Sequence, residues 1–94
     1  MSYRFEWDDN KARANQIEHG VSFDEACTVF NDSLARIFDD EDHSLSEIRE
    51  IIIGHSASNR LLLVCFTERP KEIIRIIRIP TGKERKDYEE NVEL

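Results

Sequence analysis

The sequence has 94 residues, enough for one domain, residues 1–94, around a single hydrophobic core. Hydrophobic residues make up 39% and charged residues 35%, with few Gly and Pro, and this composition excludes a disordered chain. No apolar run approaches the roughly 20 residues that span a bilayer, and the amino terminus lacks the apolar core of a secretory signal. We therefore expect a cytoplasmic protein without membrane contacts, in which Cys27 and Cys65 stay reduced.

The formal net charge of −7 argues against a protein that coats nucleic acid, but this charge is unevenly distributed. Residues 1–47 contain 4 Lys/Arg and 12 Asp/Glu, whereas residues 48–94 contain 9 and 8. Residues 69–86 contain 7 basic residues and 2 acidic ones. The asymmetry permits a local anion site in the second half and also offers an acidic face to a basic partner.

The chain begins with a predicted strand and helix. Alternating aromatic and polar residues in YRFEW predict a strand over residues 3–7. Asp8 is then positioned to cap a helix over residues 9–19, which Gly20 ends. The apolar stripe of this helix is thin, mainly Ala14 and Ile17, so the helix must be stabilised by docking.

A second helix is predicted in SFDEACTVF, residues 22–30. Ser22 and Glu25 have the spacing of a capping box. Four apolar residues recur at helical spacing and should face the core: Phe23, Ala26, Val29 and Phe30.

Strands are predicted over residues 34–38, 47–56, 60–68 and 72–80. Because the links ASN and RPK are short, these strands should form consecutive antiparallel hairpins. Thr81 and Glu84 have capping-box spacing at the start of a last helix, residues 82–94. The predicted fold is α+β in the order β-α-α-β-β-β-β-α, with two N-terminal helices on one face of an antiparallel meander sheet and a C-terminal helix.

Polar residues flank the Ile-rich strand in HSLSEIREIIIGHS. His43 is either a loop residue beside Asp42 or a general acid or base, since an imidazole titrates near neutrality. Glu47 and Arg49 share one face of a strand, where they either pair across strands or orient a base and hold a phosphate. His55 is predicted to lie at an exposed hairpin tip, outside any site.

Basic residues concentrate near the end of the predicted sheet. Arg75 and Arg78 are three apart, so a regular strand would point them to opposite faces unless a bulge re-aims one. Either guanidinium could stabilise a pentavalent phosphorane. Lys83 and Arg85 begin the last helix, where they either bind an anion or form a solvated helix face. We recognise no metal-binding or cofactor-binding motif and expect neither ligand.

Four stretches together resemble a BrnT-type toxin of a type II toxin–antitoxin module: FEWDDNKARANQIEHGVSFDEACTVFND, DHSLSEIREIIIGHS, RLLLVCFTER and GKERKDYEE. The resemblance covers nearly the whole chain, and its most specific part is W-D-x-x-K-A followed by H-G-V-S-F-x-E-A and F-x-D. It implies a fold like that of the RelE and ParE toxins and a metal-independent endoribonuclease that blocks translation. It also implies a BrnA-like ribbon-helix-helix antitoxin, through which alone the toxin contacts promoter DNA.

Such a ribonuclease needs a base for the ribose 2′-OH and cations for the phosphorane charge. On this resemblance His43 or Glu47 is the base, Arg49 orients the carboxylate, and Arg78 is the leading phosphorane clamp. Four further residues are expected to contact RNA, the last by stacking on a base: Arg75, Lys83, Arg85 and Tyr88.

The sequence also departs from the family pattern. In an ungapped register Arg78 is the arginine of the family's Ser-x-Arg and Ile76 replaces the serine, whereas a two-residue gap would make Arg75 that arginine. Glu18 stands where the family commonly has lysine before His-Gly, and the chain is acidic overall. An alternative hypothesis is therefore a catalytically weak binding module with the toxin fold, which acts with its antitoxin as a transcriptional co-repressor.

Overall fold

A computed structural model describes residues 3–41 and 47–80 of the chain. The five strands of this part are β1 (Arg4–Glu6), β2 (Arg36–Asp39), β3 (Glu50–His55), β4 (Leu61–Arg69) and β5 (Ile73–Arg78). The helices are α1 (Asp9–His19) and α2 (Phe23–Thr28), and a 3₁₀ turn over Val29–Asn31 follows α2. The predicted C-terminal helix lies outside the described residues. No helix in residues 3–41 and 47–80 combines the length and apolarity needed to cross a membrane.

The sheet is mixed, so the prediction of a purely antiparallel sheet was wrong. Strands β2 to β5 form the expected antiparallel meander, but β1 pairs in parallel with β5. The sheet order is β1-β5-β4-β3-β2, which puts β1 and β2 at opposite edges. Because α1 and α2 must connect these two edges, both helices cross the same face of the sheet.

Helix α1 has the predicted bounds. The Asp8 carboxylate accepts hydrogen bonds from the backbone N–H groups of Asn10 and Lys11, and Gly20 ends the helix at a φ of 66°. The predicted docking residues Ala14 and Ile17 are, however, exposed, Ile17 by 85%. The helix instead packs against the core through Ala12 and through Asn15, whose side-chain oxygen accepts the N–H of Ile79.

Helix α2 begins at Ser22, whose hydroxyl accepts the N–H of Glu25, as the predicted capping box requires. The Glu25 carboxylate, however, binds Arg60 and Ser56 at the β3–β4 hairpin. The four predicted core residues all pack under the helices: Phe23, Ala26, Val29 and Phe30.

Alternate residues of the strands form two apolar layers. The layer under the helices contains Ile52, Val64, Phe66, Ile74 and Ile76. The opposite layer contains Ile51, Ile53, Leu63, Cys65 and Ile77. Cys65 is 1% exposed and packs in this layer as a small core residue.

Candidate active site

A β-bulge in β5 decides which face carries the strand arginines. Phe66 of β4 pairs with Ile76, and Cys65 pairs with Arg78, so Ile77 is the extra residue. Thr67 pairs with Arg75. Because Cys65 and Thr67 are two apart on one strand, they share a face, and directly opposed residues share it too. Arg75 and Arg78 therefore both lie on the face away from the helices.

We call this surface the arginine face. Among the described residues, six arginines and three acids lie on this face. They belong to the strands, to the segment 47–49 before β3, and to position 40 after β2. They are Arg4, Arg36, Arg49, Arg69, Arg75, Arg78, Glu6, Asp40 and Glu47. An excess of cations thus occupies one side of a chain whose net charge is −7.

An ionic network joins four segments across this face. The Glu6 carboxylate lies 2.7 Å from Nη1 of Arg75 and 3.6 Å from Nε of Arg69. The other end of the network is Glu47, 3.6 Å from Nη2 of Arg69 and 3.7 Å from Nε of Arg49. Each carboxylate therefore lies between two guanidinium groups, and the network connects β1, β5, β4 and the segment before β3.

Two buried polar residues hold the segment 47–49 on the sheet. The Thr67 hydroxyl, on a residue 3% exposed, donates to the carbonyl oxygen of Ile48 at 2.7 Å. The N–H of Asp40 donates to the carbonyl oxygen of Arg49 at 2.8 Å, so these two residues oppose each other across the ends of β2 and β3. The positions of Glu47 and Arg49 are thus fixed by neighbouring strands.

Four of the predicted site residues fall in the described part, and the arginine face brings all four together: Glu47, Arg49, Arg75 and Arg78. The other four lie outside the described residues: His43, Lys83, Arg85 and Tyr88. Sequence reasoning missed Glu6, Arg69 and Asp40, because strand pairing brings them to the face from distant segments. Of these three residues, only Arg69 could have been noticed in the sequence, because it belongs to the basic residues 69–86.

The helix-covered side of the sheet has the opposite charge. Asp39 pairs with Glu50 across β2 and β3, and Glu68 lies diagonally opposite on β4. Partial burial, and then the charges of Glu68 and Asp39, raise the pKa of Glu50 above its ordinary value. The two sides of the sheet therefore differ in charge, with more basic residues on one and acidic residues on the other.

A separate polar cluster ties the β3–β4 hairpin to the helices. Nε of Arg60 donates to Oε2 of Glu25 at 2.8 Å, Nη2 contacts Oε1, and Nη2 also donates to the carbonyl oxygen of Gly20. The Ser56 hydroxyl donates to Glu25 at 2.7 Å. The hydrogen bond from Arg60 is the main reason that the pKa of Glu25 is lowered. This cluster explains the H-G-V-S-F-x-E-A motif as structural, since its glycine and glutamate both contact Arg60.

Neither cysteine has the environment of a nucleophile. Burial, helped by the charge of Asp24, raises the pKa of the Cys27 thiol to about 12, so the thiolate is scarce at neutral pH. No group of three or more His, Cys, Asp or Glu residues that could hold a metal occurs in residues 3–41 and 47–80.

The fold and the face define a class of protein: a small α+β domain with an arginine-rich side of its sheet. A family model described as "Ribonuclease toxin, BrnT, of type II toxin-antitoxin system" matches residues 7–81. The chain therefore belongs to the BrnT family of ribonuclease toxins, and as a type II toxin it has an antitoxin partner. Comparison with curated proteins gave no match.

Proposed function

We propose that the arginine face is the site at which this toxin cleaves RNA. The observation that carries the proposal is the bulge at Ile77, which puts Arg75 and Arg78 on the same face as Glu47 and Arg49. An RNA phosphate would find cations from several strands here, although the chain as a whole is acidic. The result of cleavage is a block of translation.

The chemistry is a metal-independent transesterification. A base takes the proton of the ribose 2′-OH, whose oxygen attacks the adjacent phosphorus, and the 5′ oxygen leaves with a proton from an acid. The products are a 2′,3′-cyclic phosphate and a 5′-hydroxyl. Glu47 or His43 serves as the base, Arg49 orients the Glu47 carboxylate, and Arg78 stabilises the charge of the phosphorane.

Arg75 binds flanking phosphate rather than the reacting one, because Glu6 already engages its Nη1 at 2.7 Å. Lys83 and Arg85 hold further phosphates, and Tyr88 stacks on a base.

The pairing of β5 with β4 shows on which face the serine of the family's Ser-x-Arg pattern would lie. Ile76 belongs to the layer under the helices, whereas Arg78 opposes Cys65 on the other face. A hydroxyl at position 76 would thus point away from the arginine face. Ile73 and Arg75 do share that face, opposite Arg69 and Thr67. In either register the serine position is an isoleucine, Ile76 or Ile73, so the proposed site works without that hydroxyl.

The proposed antitoxin is a BrnA-like ribbon-helix-helix protein, which alone contacts the promoter DNA. Its toxin-binding surface is basic, because α2 and the helix-covered side of the sheet are acidic, as at Asp24, Glu50 and Glu68. The toxin acts in the cytoplasm, where its RNA substrate and its antitoxin are made.

The second candidate is a binding module that has the toxin fold but little catalysis. The ionic network favours it, because both carboxylates and at least Arg49, Arg69 and Arg75 are already engaged with one another. RNA would have to compete with these contacts.

Expression of the chain without its antitoxin separates the two candidates. The ribonuclease should arrest growth and leave cleaved RNA with 5′-hydroxyl ends, and Arg78→Ala should relieve the arrest. Arg13→Ala is the matched control, since Arg13 is an exposed arginine on α1. Unimpaired growth and intact RNA with a folded parent chain would favour the binding module. Undiminished toxicity of folded Arg78→Ala would refute the assigned site.

A further inference from the structure

A cavity opens on the arginine face at the end opposite to the ionic network. Its volume is about 400 Å³, within the range of small-molecule and nucleotide sites. Arg36, Ile53, His55 and Leu61 line it from β2, β3 and the start of β4. The register places all four side chains on the arginine face, because Arg36 opposes Ile53 and Leu61 opposes His55.

The walls of this cavity combine apolar surface with polar groups. Leu34, which also lines it, is 85% exposed and offers an accessible apolar side chain to a ligand. Ile53 and Leu61 extend the apolar wall. Arg36 provides a planar cation, and the imidazole of His55 provides an aromatic surface.

Asp32 fixes the shape of the cavity. Its carboxylate accepts the N–H of His55 at 2.7 Å and the N–H of Leu34 at 3.0 Å. Nδ1 of His55 lies 3.8 Å from the same carboxylate. The two backbone donors, first His55 and then Leu34, lower the pKa of Asp32. The carboxylate therefore stays ionised and holds the backbone of His55 and Leu34, which both line the cavity.

We propose that this cavity binds one nucleotide of single-stranded RNA, with the base against Leu34, Leu61 and the His55 ring and a phosphate on Arg36. Base stacking against a ring and an apolar wall, combined with a backbone cation, is how proteins hold single strands. A basic protein partner fits this end of the sheet poorly, because Arg36 would repel it.

The cavity and the ionic network lie towards opposite ends of the same face of the sheet, with the buried residues Ile51, Leu63 and Cys65 between them. Six residues of β3 and its approach separate His55 from Arg49, which at about 3.3 Å per residue is about 20 Å. A few extended nucleotides cover that span, so a strand with its scissile phosphate at Arg78 can place a flanking base in the cavity. The inference rests on the proposed function and makes this cavity the subsite that selects where the RNA is cut.

The test uses the full chain and a fluorescent RNA oligonucleotide whose 2′-O-methyl groups prevent cleavage. Fluorescence anisotropy should show Leu34→Ala and Arg36→Gln each weakening binding about tenfold. Ile17→Ala and Arg13→Gln should bind within twofold of the parent; Ile17 is a large apolar residue as exposed as Leu34, at 85%. With cleavable RNA, Leu34→Ala should raise KM and leave kcat unchanged.

Each alternative outcome is distinct. If the parent binds and cuts RNA but the cavity variants match their controls, the subsite is overturned and the ribonuclease stands. Loss of antitoxin affinity in these variants with unchanged RNA affinity would also overturn it, and would assign the cavity to the antitoxin. A folded parent that neither binds nor cuts RNA would overturn the proposed function and the subsite together. Thermal melting confirms that each variant is folded.

Discussion

Arg75 and Glu6 form an ion pair on the arginine face, with 2.7 Å between Nη1 and Oε2, and this pair joins β5 to β1. The pair spans the only parallel ladder of the described sheet, in which Glu6 lies opposite Arg75. Since β1 has three residues and few ladder bonds, a side-chain pair at its end helps to hold it at the sheet edge.

A double-mutant cycle of Glu6→Gln and Arg75→Gln measures that contribution. Both side chains are about a third exposed, at 39% and 33%, so solvent screens the pair. We expect a coupling free energy of about 0.5 kcal/mol from urea unfolding at low salt, falling towards zero in 1 M salt. Lys11→Gln with Glu18→Gln, two exposed residues of α1, is the uncoupled control. A coupling unaffected by salt would contradict this interpretation.

Thr67→Val removes the hydroxyl that holds the Ile48 carbonyl and keeps nearly the same side-chain volume. We expect a loss of about 1 kcal/mol of unfolding free energy, because the partly buried hydrogen bond to the Ile48 carbonyl is lost. Since Glu47 and Arg49 flank Ile48, kcat for RNA cleavage should also fall, while Thr67→Ser retains it. Equal activity of the Val and Ser variants would show that Thr67 does not position the site.

How far the sequence predicts this molecule depends on the range of each interaction. Helix α1 was predicted to the residue, because Asp8 and Gly20 act on backbone groups beside them. The meander from β2 to β5 followed from short links. The parallel pairing of β1 and the partnership of Glu25 with Arg60 were not predicted, because they join segments tens of residues apart. The bulge at Ile77 was considered only as an exception, since isoleucine has no conformational signature for it. The candidate site depends on that bulge, so its geometry required the structure.

Glu25→Gln should change the pH dependence of stability. The folded pKa of Glu25 lies below the ordinary value of 4.5, so its stabilising effect is complete above pH 4.5 and is lost as the pH falls through the lowered pKa. At pH 7 we expect the variant to be less stable by about 1–2 kcal/mol, because a charge-assisted hydrogen bond becomes a neutral one. Chemical unfolding between pH 3 and pH 7 should show this difference shrinking towards acid. A difference independent of pH would contradict the assignment.

Glu50→Gln should have the opposite effect on stability at neutral pH. The pKa of Glu50 is raised, so the folded protein holds its proton more tightly and is destabilised as the pH rises through that pKa. Replacing the charge beside Asp39 and Glu68 should stabilise the protein at pH 7 by on the order of 0.5 kcal/mol, a gain that disappears near pH 4. Glu18→Gln on the exposed side of α1 should show no such gain, and a destabilised Glu50→Gln at pH 7 would refute the repulsion.

Gly54→Ala tests the contact between β3 and the turn that carries Asp32. A Cβ at position 54 would lie 2.8 Å from Cβ of Ala35 and 3.0 Å from Oδ2 of Asp32, so the backbone must shift. We expect a loss of about 1–3 kcal/mol, typical of overpacking. Ala35→Gly in the same chain should restore part of the loss, since it removes the closest atom.

Gly20→Ala is the control, because a Cβ at position 20 would meet nothing within 4 Å. Its cost comes from the φ of +66°, is about 1 kcal/mol, and should not change when Ala35→Gly is added. Equal responses of the two variants would show that Gly54 is required for backbone conformation rather than for close approach.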